Sequence, residues 1–126
     1  MRAVDVRDLA KSNAIGRIAI GAGLVVAPAL AARVWVGDDA EAPGAQVLAS
    51  ALGVRDLALG LGVLLAMKND APVRGWLEGA ALADAVDFAA TVRAGSAIPK
   101  ASRLGVMAIA AVSAVQCAVI ARSIDD

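Results

Sequence analysis

The sequence contains no histidine and no tyrosine, and its single cysteine is Cys117. Without histidine, the chain lacks the commonest general base and transition-metal ligand, so most hydrolase and metalloenzyme functions are disfavoured. One cysteine cannot form an internal disulfide or a cysteine-based metal cluster. A small buried thiol is its expected state, and a reactive thiol is the alternative. We therefore predict a protein with no catalytic residue, no metal and no cofactor, and an enzyme is the less favoured class.

An excess of charge of one sign is also absent, because 12 Lys and Arg balance 12 Asp and Glu. This balance suggests neither a nucleic-acid surface nor a groove for acidic substrates, so no nucleic-acid partner is expected. Apolar residues are abundant: they make up 60% of the 126 residues, and the mean hydropathy is +0.71. Soluble domains are roughly 45 to 50% apolar, so the composition favours a membrane protein.

Four apolar segments separated by short polar turns predict an all-α fold, an antiparallel four-helix transmembrane bundle. We expect it to form a single domain over residues 1–126. Each segment has the length of about 20 residues that a helix needs to cross a bilayer. Residues 1–12 form a short charged segment that either lies at the membrane interface or extends the first helix, with Ser12 or Asn13 as N-cap. The predicted helices cover residues 14–34, 45–67, 73–93 and 101–121.

Proline and glycine refine two of these helices. Pro28 should kink the first helix near its end, and Trp35 should follow at the level of the lipid headgroups. In the third helix, Gly75, Gly79 and Ala83 recur every four residues and predict a face for close packing against another helix.

Charged residues lie near the centre of two of the predicted spans: Arg55 and Asp56 in the second, Asp84 and Asp87 in the third. If Asp70 marks the turn, Arg55 and Asp84 both lie roughly 21 to 22 Å from it. Two such charges at the centre of one helix would cost about 5 to 7 kcal/mol on insertion. Pairing across the hairpin removes much of that cost, so these four residues are the predicted intramembrane ionic cluster.

Two interpretations of this ionic cluster stay open. It could relay protons or ions or bind a polar ligand, as intramembrane ionisable residues often do. It could instead be a structural layer that fixes helix register. Arg17 and Glu78 fall at a similar depth and form a candidate second pair, although both side chains could also snorkel to the interface.

The segment Ala51-Leu-Gly-Val-Arg-Asp-Leu-Ala-Leu-Gly60 precedes Trp76, the pair Asp84 and Asp87, and a short basic segment before a last apolar helix. In these features the chain resembles the DUF4267 family of small four-helix integral membrane proteins, over residues 15–121. The resemblance implies the same fold but no known activity, ligand or catalytic residue. The bias towards Ala, Val, Gly, Arg and Asp is typical of a bacterium of high GC content.

Two alternatives concern the membrane assignment itself. Residues 18–32 with Ala29-Leu30-Ala31 match the pattern of a cleaved signal peptide, but Asp5 and Asp8 precede them, and we expect a retained first helix. A soluble Ala-rich four-helix bundle is the other alternative. The last predicted helix lacks the polar face that a soluble bundle helix needs, so we favour the membrane.

The expected location is the bacterial cytoplasmic membrane, crossed several times, with the lipid bilayer as a partner and both termini cytoplasmic. Six Lys and Arg lie on the terminal side against four on the other, which favours this orientation.

The favoured function is a non-enzymatic accessory subunit or self-associating scaffold, either as a homo-oligomer or within a larger membrane complex. A minimal transporter or channel that passes protons, ions or a small polar ligand is the alternative. A lipid- or quinone-binding protein or enzyme comes third.

Overall fold

The computed structural model describes residues 4–126, which are all-helical: 87% of the chain is helix, and the described part contains no strand. Two short 3-10 helices, Gly37–Glu41 and Gly95–Ala97, lie in the connections. The five α-helices are α1 (Val6–Val26), α2 (Pro28–Val36), α3 (Pro43–Lys68), α4 (Arg74–Ala94) and α5 (Lys100–Ala121).

Helix α1 begins earlier than predicted. The carboxylate of Asp5 caps it by accepting a hydrogen bond of 2.8 Å from the backbone N–H of Arg7. Ser12 and Asn13, the predicted caps, lie within the helix. The charged N-terminal segment therefore extends the first helix, apart from its residues 1–3, which lie outside the described residues.

The predicted first helix, 14–34, is divided into α1 and α2 and is not one kinked span. The break lies at Ala27, whose backbone has φ −137° and ψ 70°. The ring of Pro28 disfavours a helical conformation at the preceding residue, and Pro28 itself suits the first turn of α2 because it has no N–H to donate. The prediction of four helices is therefore wrong in count: the described chain has five.

The three later helices lie close to their predicted ranges. The turn before α4 contains Asp70 at a positive φ of 52°. Pro72 and Val73 precede the first residue of α4, Arg74. The carboxylate of Asp125 instead caps α4 from the C-terminal end of the chain, accepting backbone N–H groups of Val73 and Arg74 at 2.9 Å each. These two hydrogen bonds lower the pKa of Asp125, because they stabilise its ionised form.

The backbones of α1 and α3 approach closely because glycines lie at the contact between the two helices. A Cβ added to Gly21 would lie 2.6 Å from the carbonyl oxygen of Gly53, and one added to Gly53 would lie 2.7 Å from that of Gly21. Further along, a Cβ at Gly60 would lie 2.7 Å from the carbonyl oxygen of Ala14. These positions pair in opposite chain directions, so α1 and α3 are antiparallel.

The small-residue face predicted on the third helix, now α4, is not where the backbones come closest. Gly75 has open space beside it, and a Cβ at Gly79 would make an ordinary contact of 3.4 Å with Leu59. Instead, the ring of Trp76 covers Gly62 of α3. At this point a glycine of α3 therefore lies against a bulky side chain of α4, and the predicted face is not the close contact.

Two apolar clusters lie at opposite ends of the helices. The larger packs α1, α3, α4 and α5 together near the turn between α3 and α4, around Leu77, Val63 and Ile120. The smaller packs Leu24, Ala32, Ala40 and Ala49 near α2. The buried charged residues of the long helices, Arg17, Asp56 and Asp84, belong to neither cluster.

Large apolar side chains are exposed on the surface, while a few charged side chains are buried. Buried residues include Arg17, Asp56 and Asp84, each less than 9% exposed. Large aliphatic side chains on every α-helix are exposed, for example Ile15, 60% exposed, and Val112, 68% exposed. Helices α1, α3 and α5 are each long and apolar enough to cross a membrane. The described structure thus supports the membrane class of protein.

Candidate functional site: a buried charged layer

The buried residues of α1 and α3 follow a regular spacing, and charged residues occupy positions in the middle of both series. In α1 the buried positions alternate by four and three residues, which keeps them on one face of a helix. In α3 the same alternation runs through Gly53, Asp56 and Gly60. Arg17 and Asp56 occupy the central positions of these two series. The buried residues of α1 are Ala10, Ala14, Arg17, Gly21 and Leu24.

Arg17 joins three helices. Its Nη1 donates a hydrogen bond of 3.0 Å to Oδ1 of Asp56 on α3, and its Nη2 donates one of 2.5 Å to Oδ2 of Asp84 on α4. A third bond, of 3.3 Å, runs from Nη2 to the hydroxyl of Ser113 on α5. The guanidinium is therefore the point at which α1 contacts α3, α4 and α5 together.

Arg55 holds α3 to α4 by a bidentate pair. Its Nη1 and Nη2 donate to the two carboxylate oxygens of Asp87 at 2.9 and 2.6 Å. Such two-bond pairs are the strongest and most directional of the ionic hydrogen bonds. Nη2 also lies 3.4 Å from Oδ1 of Asp56. Asp56 is consequently shared by Arg17 and Arg55, and the five charged groups form one connected cluster.

Polar side chains extend the cluster on the side of α1 and α5. The Ser113 hydroxyl donates a bond of 2.6 Å to Oδ2 of Asp84 and accepts one of 2.9 Å from Nδ2 of Asn13. Asn13 also donates to Gln116, at 3.1 Å. The thiol of Cys117 donates to Oδ1 of Asn13 at 3.4 Å, so the lone cysteine is a buried member of this network.

On the opposite side, the network reaches α2. The hydroxyl of Thr91 donates to the backbone carbonyl of Asp87 at 2.7 Å and accepts a bond of 3.0 Å from Nε1 of Trp35. The indole N–H of Trp35 is thus tied to a buried threonine, and the ring fixes α2 against α4. Its expected place at the level of the lipid headgroups stays a prediction.

The structure brings all four residues of the predicted ionic cluster, Arg55, Asp56, Asp84 and Asp87, into contact with one another or with a shared arginine. The predicted pair of Arg17 with Glu78 is wrong, because Arg17 pairs with Asp56 and Asp84. With α1 starting at Val6, Arg17 is mid-helix. Glu78 lies six residues before Asp84, about 9 Å along the axis, and its side chain is exposed.

Sequence reasoning missed the central role of Arg17 and the contributions of Ser113 and Asn13. The signal that could have found them is the alternation of four and three residues. It places small or polar residues of α1 on one face and aligns Ser113 with Cys117 and Ile120 on α5.

The described residues include no group of His, Cys, Asp or Glu able to hold a metal ion. A shallow surface depression of about 400 Å³ is lined by residues that include Arg74, Glu78 and Arg122, and an apolar one of about 270 Å³ lies beneath Trp35. The carboxylates of the charged cluster line neither depression.

The chain matches no protein-family model, no curated protein and no solved structure. The resemblance to the DUF4267 family stays a prediction.

Proposed function

We propose that this chain is a small integral membrane protein in which α1, α3, α4 and α5 form an antiparallel four-helix bundle across the bilayer. The observation that carries this proposal is the exposure of large aliphatic side chains on every α-helix, around an interior that also buries Arg17, Asp56 and Asp84. Lipid favours such a surface, whereas water would leave it as a large exposed apolar area.

Within this bundle, we infer that the charged layer sets the register of the helices. Each of the four long helices contributes a side chain to the layer: Arg17, Asp56, Asp84 and Ser113. A shift of one helix by one turn, about 5.4 Å, would separate every pair that it makes. Buried polar groups with this role are retained for specificity, even where they add little stability.

The function that this architecture supports best is a non-enzymatic scaffold or accessory subunit. Its charged groups bond to one another and line neither of the two surface depressions, which suits a structural role. The aliphatic face of α5, with Ile109, Val112 and Val115 exposed, is available to lipid, to a second copy or to another membrane chain.

The orientation that we propose follows from the bundle. Four crossings place both termini on the same side, together with the turn between α3 and α4. The balance of Lys and Arg puts this side in the cytoplasm of a bacterial cell. On the opposite side, Arg33 forms ion pairs with Asp38 and Glu41, so part of the positive charge there is compensated.

One observation favours a second candidate, a minimal proton or ion transporter. Side-chain hydrogen bonds connect polar groups without interruption from Cys117 through the charged layer to Asp87. Chains of ionisable and polar groups within a membrane are a hallmark of ion pathways.

Neutralising Asp84 and Asp87 together separates the two candidates. The double variant Asp84→Asn/Asp87→Asn removes the closest partner of each arginine, and breaking a buried pair costs about 3 to 5 kcal/mol. If the layer is structural, the purified variant unfolds at a markedly lower denaturant concentration than the wild type. Liposomes that contain the wild-type protein then show no ion flux above that of empty liposomes.

A wild-type flux that is lost in a variant of unchanged stability would instead establish transport. Glu78→Gln is the matched control, because it neutralises an acid of the same helix that lies outside the cluster. It should change neither stability nor flux.

A further inference from the structure

The charged cluster contains more acidic than basic groups. Two guanidinium groups, of Arg17 and Arg55, face three carboxyl groups, of Asp56, Asp84 and Asp87. Among residues 4–126, no other basic side chain lies within 4.0 Å of these carboxyl groups. If all five were ionised, the cluster would hold one uncompensated negative charge.

An uncompensated charge is costly in this place. Arg17, Asp56 and Asp84 are between 6% and 8% exposed, so water can screen them little. The cost of an unpaired buried ion is so large that such a group takes up a proton instead of remaining charged. We propose that the cluster is a proton-binding site that holds one proton per chain at neutral pH.

The distances identify the carboxyl group that carries the proton. Asp84 accepts short bonds from Arg17 and Ser113, at 2.5 and 2.6 Å, and Asp87 accepts two from Arg55. Each arginine therefore has one close carboxylate of its own. Asp56 receives the two longer contacts, of 3.0 and 3.4 Å, and both reach Oδ1. The proton is assigned to Oδ2 of Asp56, which accepts from neither arginine.

The groups around Asp56 allow this assignment. The remaining neighbours within the layer are neutral, the Ser113 hydroxyl and the Cys117 thiol of α5. The titratable or charged groups that face it are Arg17 on α1, Arg55 on α3, Asp84 and Asp87 on α4, and Cys117 on α5. The inference rests on the proposed membrane bundle in one respect. The Arg55 side chain is 31% exposed, and lipid must exclude water from that side of the cluster.

Infrared spectroscopy of the wild-type protein in bilayers tests the proposal, because a protonated carboxyl has a C=O band separate from that of a carboxylate. One protonated carboxyl per chain is expected at neutral pH, with an intensity that does not depend on the sodium or potassium concentration. Asp56→Asn should lose this band completely and keep the wild-type fold, because two arginines then face two carboxylates. The control Glu78→Gln should keep it.

A second measurement covers a variant that folds poorly. Because native Asp56 holds a proton that the unfolded chain releases, its contribution to wild-type stability should fall as pH rises from the unfolded pKa of an aspartate, about 4, through neutral pH to the folded pKa. In Asp56→Asn this loss should be absent. A wild-type protein without the band would overturn the proposal, as would a band of full intensity in Asp56→Asn. If the wild-type chain inserts into bilayers yet lacks the band, the proton is refuted and the bundle is not.

Discussion

Replacing Gly21 by alanine should force α1 and α3 apart. The added Cβ would lie 2.6 Å from the carbonyl oxygen of Gly53 and 2.9 Å from the backbone nitrogen of Leu57. Nonbonded heavy atoms prefer about 3.5 to 4.0 Å, so the helices must separate by roughly 1 Å. Both contacts are with backbone, which cannot rotate away. We expect an overpacking cost of about 1 to 3 kcal/mol.

The separation should also reach the charged layer. Arg17 lies one turn from Gly21, and its bond to Asp56, 3.0 Å long, would lengthen with the distance between the helices. Reversible unfolding of the purified protein in mixed micelles measures the loss. A change of fluorescence in the ring of Trp76 is not expected, because its contact is with Gly62 on a different face of α3.

Gly16→Ala is the matched control on the same helix. Nothing lies within 4 Å of the Cβ that it would add, so the substitution should be neutral or stabilise by about 0.5 to 1 kcal/mol through lower backbone entropy. If Gly21→Ala proved as stable as Gly16→Ala, the close antiparallel contact of α1 and α3 would be refuted.

Two further substitutions test polar contacts. Ser113→Ala removes the hydroxyl between Asp84 and Asn13 and should cost about 0.6 to 1.7 kcal/mol by micelle unfolding, while the exposed Ser12→Ala should cost nothing measurable. Asp125 has a lowered pKa in the fold, so its stabilising effect is present above its unfolded pKa and is lost as pH falls through the folded pKa. Acid should therefore lower the thermal unfolding midpoint less in Asp125→Asn than in the wild type, and equal pH dependence would contradict the cap.

The helical class and three of the helices could be predicted because apolar length and turn residues determine them locally. The division at Ala27 could not be foreseen with the same certainty, because a proline within an apolar run either kinks a helix or ends it, depending on its neighbours. The start of α1 was misplaced because Ser12 and Asn13 are good caps in isolation. The actual cap, Asp5, precedes the charged segment, for which the sequence allowed either an interfacial position or an extension of the first helix.

For the site, equal distance from the turn predicted that Arg55 would pair with an aspartate of α4. It did not predict which aspartate. Asp84 and Asp87 lie three residues apart, and only packing decides that Arg55 meets Asp87 while Asp84 turns to Arg17. The error over Arg17 followed from the late start of the first predicted helix, which put this residue near an end. Register between helices depends on contacts such as Gly21 with Gly53, which charge positions alone do not define.

The depth of the charged layer is the central claim, and spin labelling at Val54 measures it. Val54 adjoins Arg55 and is 57% exposed, so a label on Val54→Cys in a Cys117→Ser background would face outward at the level of the cluster. In bilayers, oxygen should relax the label at position 54 strongly, and a water-soluble nickel chelate should relax it weakly. For a label on Asp70→Cys in the turn, the nickel chelate should act strongly and oxygen weakly. A label at position 54 as accessible to the nickel chelate as the one at position 70 would contradict the account.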